Sequence, residues 1–234
     1  MNFLSQHIVS PVVIKFLKEL SKNNNREWFA DNKPFYLEAK AAFEEATAEM
    51  IDEISKIDNN VAGLHPKDCV FRIYRDVRFS KDKTPYKTHF DAFIATKGGR
   101  KSLHAGYYMH VMPGKSLLGG GVYAPIPEIL NYIRREIYNF PNEFRAIILN
   151  PEFKMLFGTL YEAKLKNVPR GFPKDFEYAD LLKYKSYIVA HSISDRELMS
   201  PMMKEKFKIL IKVLLPFNAF INRGIDFKDE IIDF

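Results

Sequence analysis

Phe71-Arg72-Ile73-Tyr74-Arg75-Asp76-Val77-Arg78-Phe79-Ser80-Lys81-Asp82-Lys83-Thr84-Pro85-Tyr86-Lys87-Thr88-His89-Phe90 is the stretch on which the reading of the fold turns. Phe71, Ile73, Val77 and Phe79 alternate with Arg72, Tyr74, Asp76 and Arg78. That period of two predicts a half-buried strand over 71–79. Arg75 breaks the pattern, because its parity sets it on the apolar face. A cation there needs a partner, a bulge that re-aims it, or a cleft, since burying it alone is costly.

Working forward, a second strand is expected at about 89–96, and Lys97-Gly98-Gly99-Arg100 reads as a hairpin turn. A third strand near 103–112 turns at Pro113-Gly114 into a fourth over 117–122. Connections this short imply antiparallel neighbours, because parallel strands need crossovers of about a dozen residues or more.

Backward from the stretch the period is helical. A short amphipathic helix spans 12–20, and Asn25 is placed to cap another carrying Trp28 and Phe29. Pro34 suits the first turn of a long third helix. Its stripe is Phe35, Ala39, Phe43, Ala46, Met50, Ile54 and Ile57. Past the strands, Pro127 opens a helix with Ile129, Ile133 and Ile137 on one side, and a short helix follows over 142–150. Residues 158–173 read as extended or looped, a helix lies near 176–183, and an apolar strand covers 187–190. Ser194 and Glu197 have capping-box spacing and open a long C-terminal helix that Pro216 should kink or end. The expected fold class is α+β: an antiparallel meander packed against several helices. One domain is expected over 1–234, helical over 1–60, sheet over 68–123, and mixed helical over 125–234.

Composition narrows the class. The chain has 234 residues, 47% hydrophobic, with 35 Lys+Arg against 29 Asp+Glu and a formal charge of +6. This apolar fraction supports a packed core and argues against disorder. No apolar run reaches the ~18 residues a membrane span needs. The first twenty residues lack the pattern of a secretory signal. The lone Cys69 excludes an internal disulfide framework and fits a reducing compartment. The expected location is cytoplasmic, with no membrane partner.

The charge is not evenly spread. Between Val70 and Lys101 stand nine basic residues (Arg72, Arg75, Arg78, Lys81, Lys83, Lys87, Lys97, Arg100 and Lys101) and three acids, Asp76, Asp82 and Asp91. That segment therefore carries the whole +6, and the rest of the chain sums to zero. Arg72, Tyr74, Asp76 and Arg78 share one strand face. Guanidiniums flanking a carboxylate keep it ionised and retain donors for an external phosphate or carboxylate. Arg72, Arg75, Arg78, Lys83, Tyr86 and Lys87 are the candidate anion-binding residues, with Tyr86 closing the site. The opposing reading is a network in which Asp76 and other acids satisfy every guanidinium, leaving a solvated basic face.

Asp76 and His110 are the candidate acid–base groups, His110 because it shares a strand face with Tyr108 and looks towards its neighbour strand. The histidines show no metal-ligand spacing; His104 and His110 would stand ~20 Å apart along one strand. No metal or other cofactor is expected. Gly119-Gly120-Gly121 is weak as a phosphate loop, lacking both G-x-G-x-x-G and P-loop spacing, and reads better as a place of close backbone approach. G-x-S-x-G, H-E-x-x-H and C-x-x-C are absent from the sequence.

FRIYRDVRFSKDKTPYKTHF (71–90), GGGVYAP (119–125), PRGFPKDF (169–176) and NREWFADNKPFY (25–36) together resemble the domain of unknown function 2461 family. The resemblance spans most of the chain. It implies a single cytoplasmic domain of bacterial type, with the stretch from Arg72 to Lys87 as a signature, and it names no reaction. Two functional readings remain. One is an anion-handling domain, an enzyme on a phosphorylated or carboxylated small molecule. The other is a non-catalytic nucleic-acid-binding module using a basic sheet face with Tyr74, Tyr107 and Tyr108.

Overall fold

Helix-favouring stripes and strand alternation settle most of the architecture in this computed structural model, which describes residues 8–227. The helices are α1 (Pro11–Lys22), α2 (Arg26–Asp31), α3 (Lys33–Ser55), α4 (Pro66–Cys69), α5 (Pro127–Asn139), α6 (Pro141–Ile148), α7 (Pro151–Phe157), α8 (Ala179–Leu182), α9 (Asp195–Leu198) and α10 (Met203–Asp226). The strands are β1 (Phe90–Ile94), β2 (Gly106–Val111), β3 (Ser116–Val122) and β4 (Tyr187–Ile193). They form one antiparallel sheet in the order β1-β2-β3-β4. The fold class is α+β, as the alternation of periods implied.

Two compact units divide the chain. The first takes in the described residues through Lys101 with Tyr108–Leu118 and Ser192–Ile209; the second takes in Ser102–Tyr107, Gly119–His191 and Leu210 onward.

In the first unit Asn25 accepts the Trp28 amide at 2.9 Å and so starts α2, satisfying one of the donors a helix start leaves orphaned. Pro34 sits in the first turn of α3, whose buried residues include Tyr36, Ala39, Phe43, Ala46, Met50 and Ile54. Tyr36 takes the place expected for Phe35. Phe16 of α1 lies 6.0 Å from Phe90 and Phe43 lies 5.3 Å from it, centroid to centroid. Phe90, Ala92 and Ile94 are all buried. Because side chains alternate along a strand, packing these three against helices turns Asp91 and Phe93 to the other face of β1.

The expected strand over 71–79 does not form. The segment instead makes isolated bridges, Val70 with Ala92 and Tyr74 with Tyr86, and it bonds from the Phe71 amide to the Asp91 carbonyl at 2.9 Å and from the Arg75 amide to the Pro85 carbonyl at 3.0 Å. The pairing register shifts by two residues between those bridges, and Pro85 has no amide to donate. An irregular ribbon results, alternating in sequence but without a continuous ladder, and the fourth strand of the sheet is β4.

In the second unit the three glycines of β3 are places of close approach. A Cβ on Gly119 would meet the Val189 carbonyl oxygen at 2.4 Å, and one on Gly121, whose φ is +105°, would meet that of Tyr187 at 1.9 Å. Gly119 and Gly121 let β4 pair closely, and Gly120 admits Leu214 and Asn218 of α10. Phe144, Phe153, Phe217 and Phe220 form the aromatic core of this unit.

One further expectation is corrected and one is narrowed. The Ser194–Glu197 capping box is present, yet it opens only the short α9, because Pro201 disfavours helical backbone in the residue before it and the chain restarts at Met203. Pro216 does not end α10, which continues to Asp226. Leu210, Ile211, Leu214, Phe217, Ile221 and Ile225 are buried on both sides of it, and their packing outweighs the lost hydrogen bond.

Candidate functional site

The strand pairing of β1 with β2 brings Asp91, Tyr108 and His110 onto one face of the sheet in the first unit, with Lys87 and His89 from the segment before β1 beside them. Asp91 is 5% exposed. His110 Nδ1 lies 2.7 Å from its Oδ1, and the Tyr108 hydroxyl donates to the same oxygen at 2.8 Å. His89 Nε2 lies 3.1 Å and Lys87 Nζ 3.5 Å from Oδ2. The His89 and His110 rings are 4.5 Å apart between centroids.

Burial by itself would raise the Asp91 carboxyl. The bonds from His110 and His89, followed by that from Tyr108, outweigh burial and hold it well below the usual carboxylate range. Asp91 is therefore an anion at neutral pH, and each neighbour donates to it: His110 through Nδ1–H and His89 through Nε2–H. Burial and the adjacent Asp91 charge push the Tyr108 phenol far upward, so it stays neutral and donating. The two histidines and Lys87 are only partly covered, with side-chain exposures of 16%, 27% and 26%. One buried carboxylate thus faces a partly open rim holding two imidazoles and an ammonium.

Arg75, Arg78 and Lys83 of the expected anion site are engaged within the hairpin itself. Arg75 bonds Asp82 Oδ2 at 2.5 Å and the Thr84 carbonyl at 3.1 Å, with a further bond to the Thr84 hydroxyl, so this guanidinium has found a partner. Arg78 grips Asp76 through Nε at 3.0 Å and a terminal nitrogen at 2.6 Å. That bond lowers the Asp76 carboxyl, and Arg72 adds to the effect through its charge. Lys83 donates to the Val77 carbonyl at 2.9 Å. Tyr86 is buried and stacked on Phe29 at 3.9 Å, where it serves the core. Arg72 remains exposed, with no ion-pair partner among the described residues. Of the six expected residues, only Lys87 reaches the Asp91 cluster.

His110 stands at the cluster, while Asp76 sits on an exposed hairpin. Asp91 and His89 were absent from the candidates. Their signal was His89-x-Asp91 at same-face spacing beside His110, legible only with the β1–β2 register in hand. His104 is bonded instead to Asp226 at 2.9 Å. Burial, the largest cause, pushes the Cys69 thiol up to about 11, which leaves it un-ionised and a poor nucleophile at neutral pH. Tyr107 is buried, so it cannot stack on a base beside Tyr108.

The profile of the family described as "Conserved hypothetical protein (DUF2461)" matches residues 12–220. The chain belongs to that family. Both the His89–Asp91–His110 cluster and the 71–90 signature lie inside the matched span. Neither the curated proteins nor the solved structures yield a match. No helix among the described residues is long and apolar enough to cross a membrane.

Proposed function

We propose that this DUF2461 protein binds, and acts as an enzyme on, a small molecule carrying a phosphate or carboxylate, at the Asp91 cluster. The observation that supports this reading is the surplus of donors there: Lys87, His89 and His110 surround a single buried carboxylate and are themselves partly exposed. One anion satisfies Asp91's partners only in part, so a second anion from solution finds N–H groups and positive charge already assembled. Lys87 is the point charge that holds the ligand, because its flexible stem lets the ammonium reach outward from Asp91. His110, fixed through Nδ1 by Asp91, is the ring placed to exchange a proton with a bound ligand.

Thermal-shift screening of phosphorylated and carboxylated metabolites, on protein treated with a chelator, tests the reading. A ligand present at 100 times its dissociation constant should stabilise by ~2.7 kcal/mol. Stabilisation of the wild type that is lost in His110→Gln supports it. A panel that stabilises neither protein, or both equally, contradicts it.

A further inference from the structure

We infer that His89 Nε2, Asp91 and His110 Nδ1 together form a binding site for a divalent first-row transition-metal ion, zinc in the first instance. This deepens the anion-handling reading of the same cluster, because a metal held there supplies coordination positions for a phosphate or carboxylate oxygen.

The geometry is specific. One atom from each of the three residues lies within 4.8 Å of the others. Two ligands of a tetrahedral ion at ~2.1 Å each stand ~3.4 Å apart. The cluster therefore closes around an ion once its farthest ligand atoms draw in by about an ångström, which partly exposed imidazoles can make, and once each imidazole carries its proton on the other ring nitrogen, leaving His89 Nε2 and His110 Nδ1 free to ligate. Asp91 lies on β1, His110 on β2, and His89 immediately precedes β1, so the ligands are carried by paired strands rather than by a free loop. Two imidazoles and one carboxylate suit zinc, cobalt or ferrous ions and disfavour magnesium and calcium, which take oxygen. Three protein ligands leave a fourth position open, the arrangement of metal sites that bind water or substrate.

The surroundings fit as well. Tyr108 donates to Asp91 Oδ1 and would steady a metal-bound carboxylate, as outer hydrogen-bond partners do in metal sites. Lys87 works against the ion, since its ammonium 3.5 Å from Asp91 Oδ2 competes for the same negative charge. The two ligand classes therefore make opposite demands on Lys87: an anion needs it, and a metal gains from its removal.

The test is titration of tag-free, metal-free protein with cobalt(II), followed by its visible absorption bands and by displacement with zinc. The expected result is saturable one-to-one binding at micromolar cobalt, displaced by zinc. Binding should fall at least tenfold in His89→Gln and in His110→Gln, and should tighten about tenfold in Lys87→Met. Circular dichroism of each variant confirms that it remains folded, and His89, the more exposed ligand, is the substitution expected to perturb the fold least. Absence of saturable binding in the wild type overturns the inference. Undiminished binding in both folded histidine variants overturns it too. The anion panel on chelator-treated protein separates the two readings: anion binding without a cobalt site defeats the metal alone, and a cobalt site without anion binding defeats the anion reading alone.

Discussion

Two charged regions lie within twenty residues of each other in this chain, and they handle charge in opposite ways. On the hairpin over 75–84, Arg78 and Asp76 pair in the open, with side-chain exposures of 76% and 46%, and Arg75 meets Asp82. At β1, Asp91 is buried, and four donors from Lys87, His89, Tyr108 and His110 converge on it. The hairpin carries four basic residues against two acids, but its ion pairs are solvated, and exposed pairs contribute little. The cluster carries few, but they are concentrated where water is scarce and electrostatic effects are large. Burial and convergence mark the candidate site, rather than the count of Lys and Arg.

The contrast is open to direct attack. Asp91→Ala removes the carboxylate and leaves four partly covered donors without their acceptor, so it should destabilise the fold by about 1–3 kcal/mol, read as a loss of chemical-denaturation midpoint. Asp76→Ala should leave that midpoint unchanged. A large effect at Asp76 with none at Asp91 would invert the account.

The packing beneath the two regions differs in the same direction. Phe90→Ala empties the space between Phe16 and Phe43 and should cost about 3 kcal/mol. Phe79, 96% exposed on the hairpin, should tolerate alanine with no measurable shift in melting temperature. Tyr108→Phe removes one charge-assisted bond to Asp91 and should cost about 2 kcal/mol, with the near-ultraviolet circular dichroism otherwise native.

Much of this was legible in the sequence, and the failures have physical causes. The α3 stripe, the Asn25 cap and the Ser194 capping box depend on neighbours three or four residues apart, so local spacing reveals them. The alternation at 71–79 was misleading because an irregular ribbon also turns successive side chains to opposite sides. What makes a strand is a continuous ladder, and the register shift that breaks it depends on residues 85–92. Tyr108 and His110 were placed correctly on one face. In the sequence Asp91 reads as one more acid in a basic tract, because the residues that give it meaning lie across the β1–β2 pairing.

Acid titration offers the smallest and finest distinction. The Thr84 amide, followed by Arg75 and the Thr84 hydroxyl, holds the Asp82 carboxyl down at about 2. Its folded value lies below an unfolded one near ~3.9. Its stabilising share is therefore present above that unfolded value and is lost as pH falls from about 4 towards 2. Because Asp82 is exposed, the loss should be slight and should shrink further in high salt. Comparing wild type with Asp82→Asn by thermal melts at pH 5 and pH 2.5 measures it. A difference that grows with added salt would show that the hairpin pairing is not electrostatic.

The central claim is that ligand chemistry resides at Asp91 rather than on the basic hairpin, and a matched pair of cation deletions tests it most directly. The measurement is the calorimetric affinity of the best anion from the metabolite panel for chelator-treated Lys87→Met and Arg78→Met proteins. The account predicts that Lys87→Met weakens binding at least tenfold while Arg78→Met binds as the wild type does. Loss of binding in Arg78→Met with full retention in Lys87→Met would contradict it.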